Sequence, residues 1–124
     1  MLKWIAVLLL VTPAIVVADT ELEFHLCSPY VQKSMTGERT DMGWPVYVKL
    51  TELGATSFET FTEANIGKMT RIVVIGRQFS RATIWTPIPS GNLHGIFSSQ
   101  EVATAWQRTL EGELPAAPCG ERKS

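Results

Sequence analysis

The sequence predicts an α+β fold: a mostly antiparallel sheet with two helices packed on one face. Three observations lead there. Leu22, Phe24 and Leu26 alternate with Glu21, Glu23 and His25, and Val46, Val48 and Leu50 flank Tyr47 and Lys49, the two-residue period of half-buried strands. Val102, Trp106 and Leu110 recur at every fourth position, one face of an amphipathic helix. The patterns run strand, loop, strand, helix, three strands, helix, with no internal repeat, an order that segregates helices from an antiparallel sheet.

The first residues stand outside this domain. Lys3 precedes an apolar run from Trp4 to Val17, and small residues end at Ala18, the layout of a secretory signal peptide cleaved before Asp19. The alternative is a retained membrane anchor, for which the run is short against the roughly 20 apolar residues that a span needs. Removing residues 1–18 takes away Lys3 and leaves 10 basic against 12 acidic residues, a formal charge of −2. That balance lacks the basic excess of a nucleic-acid binder. No second apolar segment is long enough to span a membrane, so an exported, periplasmic protein is expected, with no membrane span after cleavage.

Residues 19–44 comprise the first strand and a turn-rich loop, with a short helical turn near Tyr30–Lys33. After the strand from Val46 to Leu50, Thr51 caps a helix whose buried stripe is Leu53, Phe58, Phe61 and Ala64, and Gly54 weakens its first turn. Asn65 and Gly67 end that helix: the amide bonds backbone groups and the glycine takes a left-handed conformation. Met69–Ile75, with its unbroken apolar run Ile72–Ile75, is apolar on both faces and reads as a covered strand, followed by a turn at Gly76-Arg77-Gln78 and a return strand from Phe79 to Trp85. Pro87 and Pro89 interrupt the ladder, and Leu93–Phe97 is a further strand. Ser98 and Glu101 form a capping box ahead of the second helix, which Gly112 ends. Residues 116–124 form a polar tail pinned only at Cys119.

Cys27 and Cys119 are both outside the leader, and in an oxidising compartment an even pair defaults to a disulfide. The alternative is a redox or metal site at His25, Cys27 and Cys119, since His25 and Cys27 stand two apart on one strand. The two histidines, His25 and His94, are expected on strands that could neighbour each other. No phosphate loop, nucleophile elbow or zinc-protease motif occurs, and the serines at positions 90, 98 and 99 have turn and cap roles. The expectation is a non-enzyme with no cofactor and no metal. The better class is a binding module. Trp44 and Trp85 lie beside prolines, where aromatics either anchor a partner or cover a sheet edge. The strand from Phe79 to Ile88 offers an edge to which an extended chain could add, so Arg77, Phe79, Arg81, Trp85 and Ile88 are the candidate partner-binding residues.

From Pro45 to Pro115 the chain resembles the head of the first periplasmic domain of SecD, a membrane subunit of the bacterial protein-export machinery. The resemblance rests on ordered short pieces: "PVYVKLT", then Thr62, Asn65 and Gly67 in the helix end Thr-x-x-Asn-x-Gly, an apolar strand, Pro87-Ile88, "GNLHGIFSSQEV" and "LEGELP". Two places depart from the pattern: Ile75-Gly76-Arg77 stands where the family has Asp-Gly-Lys, and Thr83 where it tends to have proline. The resemblance implies a head-like domain over residues 45–115 and a protein or unfolded polypeptide as partner, including Sec export components. SecD also has transmembrane helices for its proton-coupled work, and the chain shows none after the leader. A different class, a secreted inhibitor or structural accessory that reuses the fold, stays open.

Overall fold

A computed structural model of the chain describes residues 21–123. The signal-peptide reading lies outside the described residues. Seven strands, β1 (Leu22–His25), β2 (Val31–Thr36), β3 (Trp44–Leu50), β4 (Met69–Val74), β5 (Arg77–Thr83), β6 (Asn92–Phe97) and β7 (Gly120–Lys123), and two helices, α1 (Glu52–Ala64) and α2 (Gln100–Gly112), make an α+β fold. The strands form two sheets. The four-stranded sheet has the order β5-β4-β1-β7 and the three-stranded sheet the order β2-β3-β6. Every neighbouring pair is antiparallel except β1 with β4.

Two strands lie where no period is readable. β2 faces the core with Ser34 and solvent with Met35, the reverse of the usual pattern. Its Ser34 hydroxyl donates to the Gln107 carbonyl of α2 at 3.4 Å. β7 corrects the reading of a tail pinned only at Cys119: its Gly120 and Glu121 pair with His25 and Phe24. A disulfide joins Cys27 to Cys119 and holds this strand beside β1. The expected helical turn falls slightly earlier, as a 3-10 turn at Ser28–Tyr30 that Pro29 suits.

Thr51 caps α1, its hydroxyl accepting the Gly54 N–H at 3.1 Å. Phe58 and Phe61 are buried, whereas Leu53 and Ala64 face solvent and Thr62 takes an inward position. Gly54 lies against the Tyr30 backbone, where a Cβ would stand 2.5 Å from the carbonyl oxygen. Asn65 ends the helix: its side-chain amide donates to the Phe61 carbonyl at 2.8 Å, and Gly67, at φ 85°, donates to the Ile84 carbonyl. The cap of α2 is Ser99 rather than Ser98. Its hydroxyl accepts the Val102 N–H at 3.1 Å, which leaves Glu101 in the first turn as a charge favourable to the dipole.

One apolar core runs between the layers. Phe24 of β1 meets Phe58 edge-on at 4.9 Å and Phe61 at 5.1 Å. A second aromatic group joins the sheets: Phe79, Phe97 and Trp106 have ring centroids 5.4–5.6 Å apart. A bulge places Phe79 there. Ile72 pairs with Ser80 and Val73 with Gln78, so Phe79 is the extra residue and its ring turns inward. α2 covers the inner face of the three-stranded sheet.

Candidate binding groove

β5 and β6 are edge strands of different sheets, and they meet at one point. Gly95 of β6 lies so close to β5 that a Cβ would stand 2.6 Å from the Phe79 carbonyl oxygen and 2.9 Å from the Phe97 ring. Only glycine allows that approach. Beyond it the two edges diverge. Between them is a groove of about 360 Å³, within the range of ligand pockets.

Its walls follow from the residues of each strand. β5 contributes Ser80 and Ala82, which are too small to fill the space above Phe58 and Ile72. β6 contributes Asn92, Leu93 and His94. The Pro-rich segment after β5 supplies the rim, with Trp85 and Ile88. That segment is fixed to α1 by Thr62, whose hydroxyl donates to the Glu59 carbonyl and accepts the Ile88 N–H, both at 2.9 Å. The lining is apolar with hydroxyl, amide and imidazole groups and no Lys, Arg, Asp or Glu. Thr70, also part of the lining, is 4% exposed, and among the described residues its hydroxyl has no hydrogen-bond partner. A buried orphan hydroxyl costs roughly 1–3 kcal/mol.

The five residues singled out in the sequence separate in space. Trp85 and Ile88 come together at the groove rim, Trp85 being 75% exposed. Phe79 is in the core. Arg77 lies over the Trp106 ring at 4.5 Å. Arg81 extends to the other face of the sheet and clasps Glu21 with two hydrogen bonds of 2.9 and 2.8 Å. That contact holds the Glu21 carboxyl below its usual range and raises the guanidinium further. Trp44, the other aromatic beside a proline, packs half-buried against the core. Ser80, Ala82 and Asn92 escaped the sequence reading, which weighed His94 only as a neighbour of His25 and not as part of a groove. Two small residues alternating on an edge strand are the one signal that marks such a space.

His25 and His94 are in different sheets, so they are not strand neighbours. His25 contacts Glu23 at 3.0 Å, and Glu23 also accepts from Arg71 at 2.9 Å. Cys27 is engaged in the disulfide. Among the described residues no three His, Cys, Asp or Glu side chains are grouped to hold a metal. Among them, too, no helix is long and apolar enough to cross a membrane.

No protein-family model and no curated protein matches the chain. Solved structures do. One is of SecDF, described as a membrane component that enhances protein export: the TM-score is 0.63 and the identity 24%, over 78% of this chain and 44% of that one. Another is SecDF in a super-membrane-facing form, with a TM-score of 0.61 and 25% identity, over 78% of this chain and 13% of that one. The chain therefore spans less than half the length of either. In fold, the described chain is a SecD-like domain.

Proposed function

We propose that this protein is a non-catalytic, exported module that binds extended polypeptide and works alongside protein export. The observation that carries the reading is the groove between β5 and β6, the edge strands of the two sheets among the described residues, apolar at its floor and rimmed by an exposed Trp85. Edge strands present unpaired N–H and C=O groups, so an extended chain entering between β5 and β6 gains main-chain hydrogen bonds whatever its sequence. Its apolar side chains then settle over Phe58, Ile72 and Leu93. The SecD-like fold supports the link to export, since the SecDF it resembles enhances protein export. The leader-like first residues and the Cys27–Cys119 disulfide agree with a location outside the cytoplasm.

The test uses a permanently unfolded polypeptide, reduced and carboxymethylated α-lactalbumin, with the purified protein. Binding is expected. Trp85→Ala should weaken it about tenfold, the scale of an interfacial aromatic anchor. Ala82→Arg, which fills the groove, should abolish it, and Arg81→Glu should leave it unchanged because Arg81 is on the opposite face. Equal binding by all variants refutes the groove. Crosslinking from position 88 in cells then reads the export link, which capture of Sec components supports and their absence refutes.

A further inference from the structure

A second surface carries its own chemistry, on the face of the three-stranded sheet turned away from α2. Along each strand the residues alternate, so Ser34, Val46, Val48 and Leu93 point inward, while Lys33, Met35, Tyr47, Lys49, Asn92 and His94 are exposed. The register sorts the exposed residues into two rows: Lys33, Lys49 and Asn92, then Met35, Tyr47 and His94.

Lys33 and Lys49 are paired directly across β2 and β3. Like charges in that position repel, with Cβ atoms about 5 Å apart. Among the described residues no ion pair to either lysine offsets the repulsion. Beside them Met35 and Tyr47 are 47% and 44% exposed, and the Tyr47 ring lies 6.2 Å from that of His94. A shallow depression of about 180 Å³ runs between the two rows.

We propose that this face docks an acidic protein segment. One of its carboxylates sits between Lys33 and Lys49, and an adjacent apolar side chain rests on Met35 and Tyr47. The carboxylate relieves the repulsion that the free domain carries, so the charge arrangement selects an anionic partner. A membrane surface fits less well, since recognition of anionic lipid takes clusters of about four to eight basic residues. A second copy of the chain fits less well too: a two-fold axis through the patch would bring four lysines together. The surface adjoins the groove along β6, where Asn92 and His94 border both, but Lys33, Lys49, Met35 and Tyr47 stand outside the groove lining, so the proposal does not depend on the reading proposed for the groove.

The test is an NMR titration of the full protein with a capped Gly-Asp-Phe-Asp-Gly peptide and its Asn-for-Asp counterpart. Shifts are expected at the Met35 methyl and the Tyr47 ring, with the Asn peptide about tenfold weaker and binding falling as salt rises. Lys33→Glu together with Lys49→Glu should weaken the Asp peptide at least about tenfold. Lys33→Glu alone keeps the fold, because it places opposite charges across the strands, and it too should reduce binding. Unmoved Met35 and Tyr47 signals, or equal affinity for both peptides, would overturn the proposal. So would phosphatidylglycerol vesicles moving these signals when the peptide does not. Trp85 fluorescence reports the groove separately, so failure of one site is not read as failure of the other.

Discussion

Replacing Ile75 by Asn should stabilise the protein. Ile75 and Gly76 are the two central residues of the β4–β5 hairpin, since Val74 pairs with Arg77. Their φ angles are 49° and 74°. Two successive positive φ angles are those of a type I′ turn, which suits the twist of the strands but demands residues tolerant of the left-handed region. Isoleucine is among the least tolerant. Its branched Cβ crowds the following carbonyl, at a cost of about 1–2 kcal/mol. The side chain returns little, being 54% exposed and outside the apolar core. Asparagine enters the same conformation readily and can hydrogen-bond locally. The net gain is then about 0.5–1.5 kcal/mol, or a rise in Tm of roughly 3–8 °C for a domain of this size. Thermal and urea unfolding followed by circular dichroism measure it. Ile75→Val keeps the branching and should gain nothing, and Gly76→Ala should lose stability. If Ile75→Asn melts at or below the parent, or Ile75→Val gains as much, the backbone argument is wrong.

Four more outcomes are expected. Thr70→Val removes the orphan hydroxyl while keeping the shape, so urea unfolding should show neutral stability or a gain of about 1 kcal/mol; a loss of that size would mean the hydroxyl has a partner. Gly95→Ala pushes against the Phe79 carbonyl oxygen and should cost about 1–3 kcal/mol, with loss of near-ultraviolet signal from the Phe79–Phe97–Trp106 cluster; an unchanged melt would refute the close approach of β5 and β6. Removing both cysteines, as Cys27→Ala with Cys119→Ala, opens a loop spanning 92 positions and should cost about 2–5 kcal/mol, with β7 amides losing protection in hydrogen exchange; β7 amides that stay protected would show that pairing alone holds the strand. The Glu21 carboxyl is lowered from its ordinary 4.5 by Arg81, so the stability this pair contributes is present above that value and is lost as pH falls through the lower folded-state value. Titration of the Glu21 carboxyl by NMR checks it, and Arg81→Gln should return the midpoint to the ordinary range.

The elements with their own period were legible along the chain. β1, β3, α1, β4, β6 and α2 each carry an apolar alternation, run or stripe long enough to declare itself, β5 follows as the return strand after a turn, and the helix caps at Thr51 and Asn65 follow from residue chemistry. The resemblance to a SecD domain was legible as well, because short pieces in a fixed order survive where overall identity is 24–25%. β2 and β7 were not. β2 turns a serine inward, and β7 carries a glycine and charged residues, so neither has a hydrophobic period. Their pairing is decided by partners distant in the chain.

The groove was half legible. Trp85 and Ile88 could be named as candidates because an aromatic beside prolines at a strand end either anchors a partner or covers a sheet edge, and burial separates exposed Trp85 from Trp44, which packs against the core. Phe79, Arg77 and Arg81 sit in the same stretch but leave the site for three separate reasons: a bulge, a ring under a guanidinium, and a carboxylate on the far face. The sequence by itself determined the class of fold and the order of its main elements, because periodicity is a local property of the chain. Only the tertiary structure decided that the strands divide into two sheets, that their edges touch at Gly95 and then part, and that two lysines face one another across β2 and β3. Those are relations of register and packing between distant segments, which no local pattern encodes.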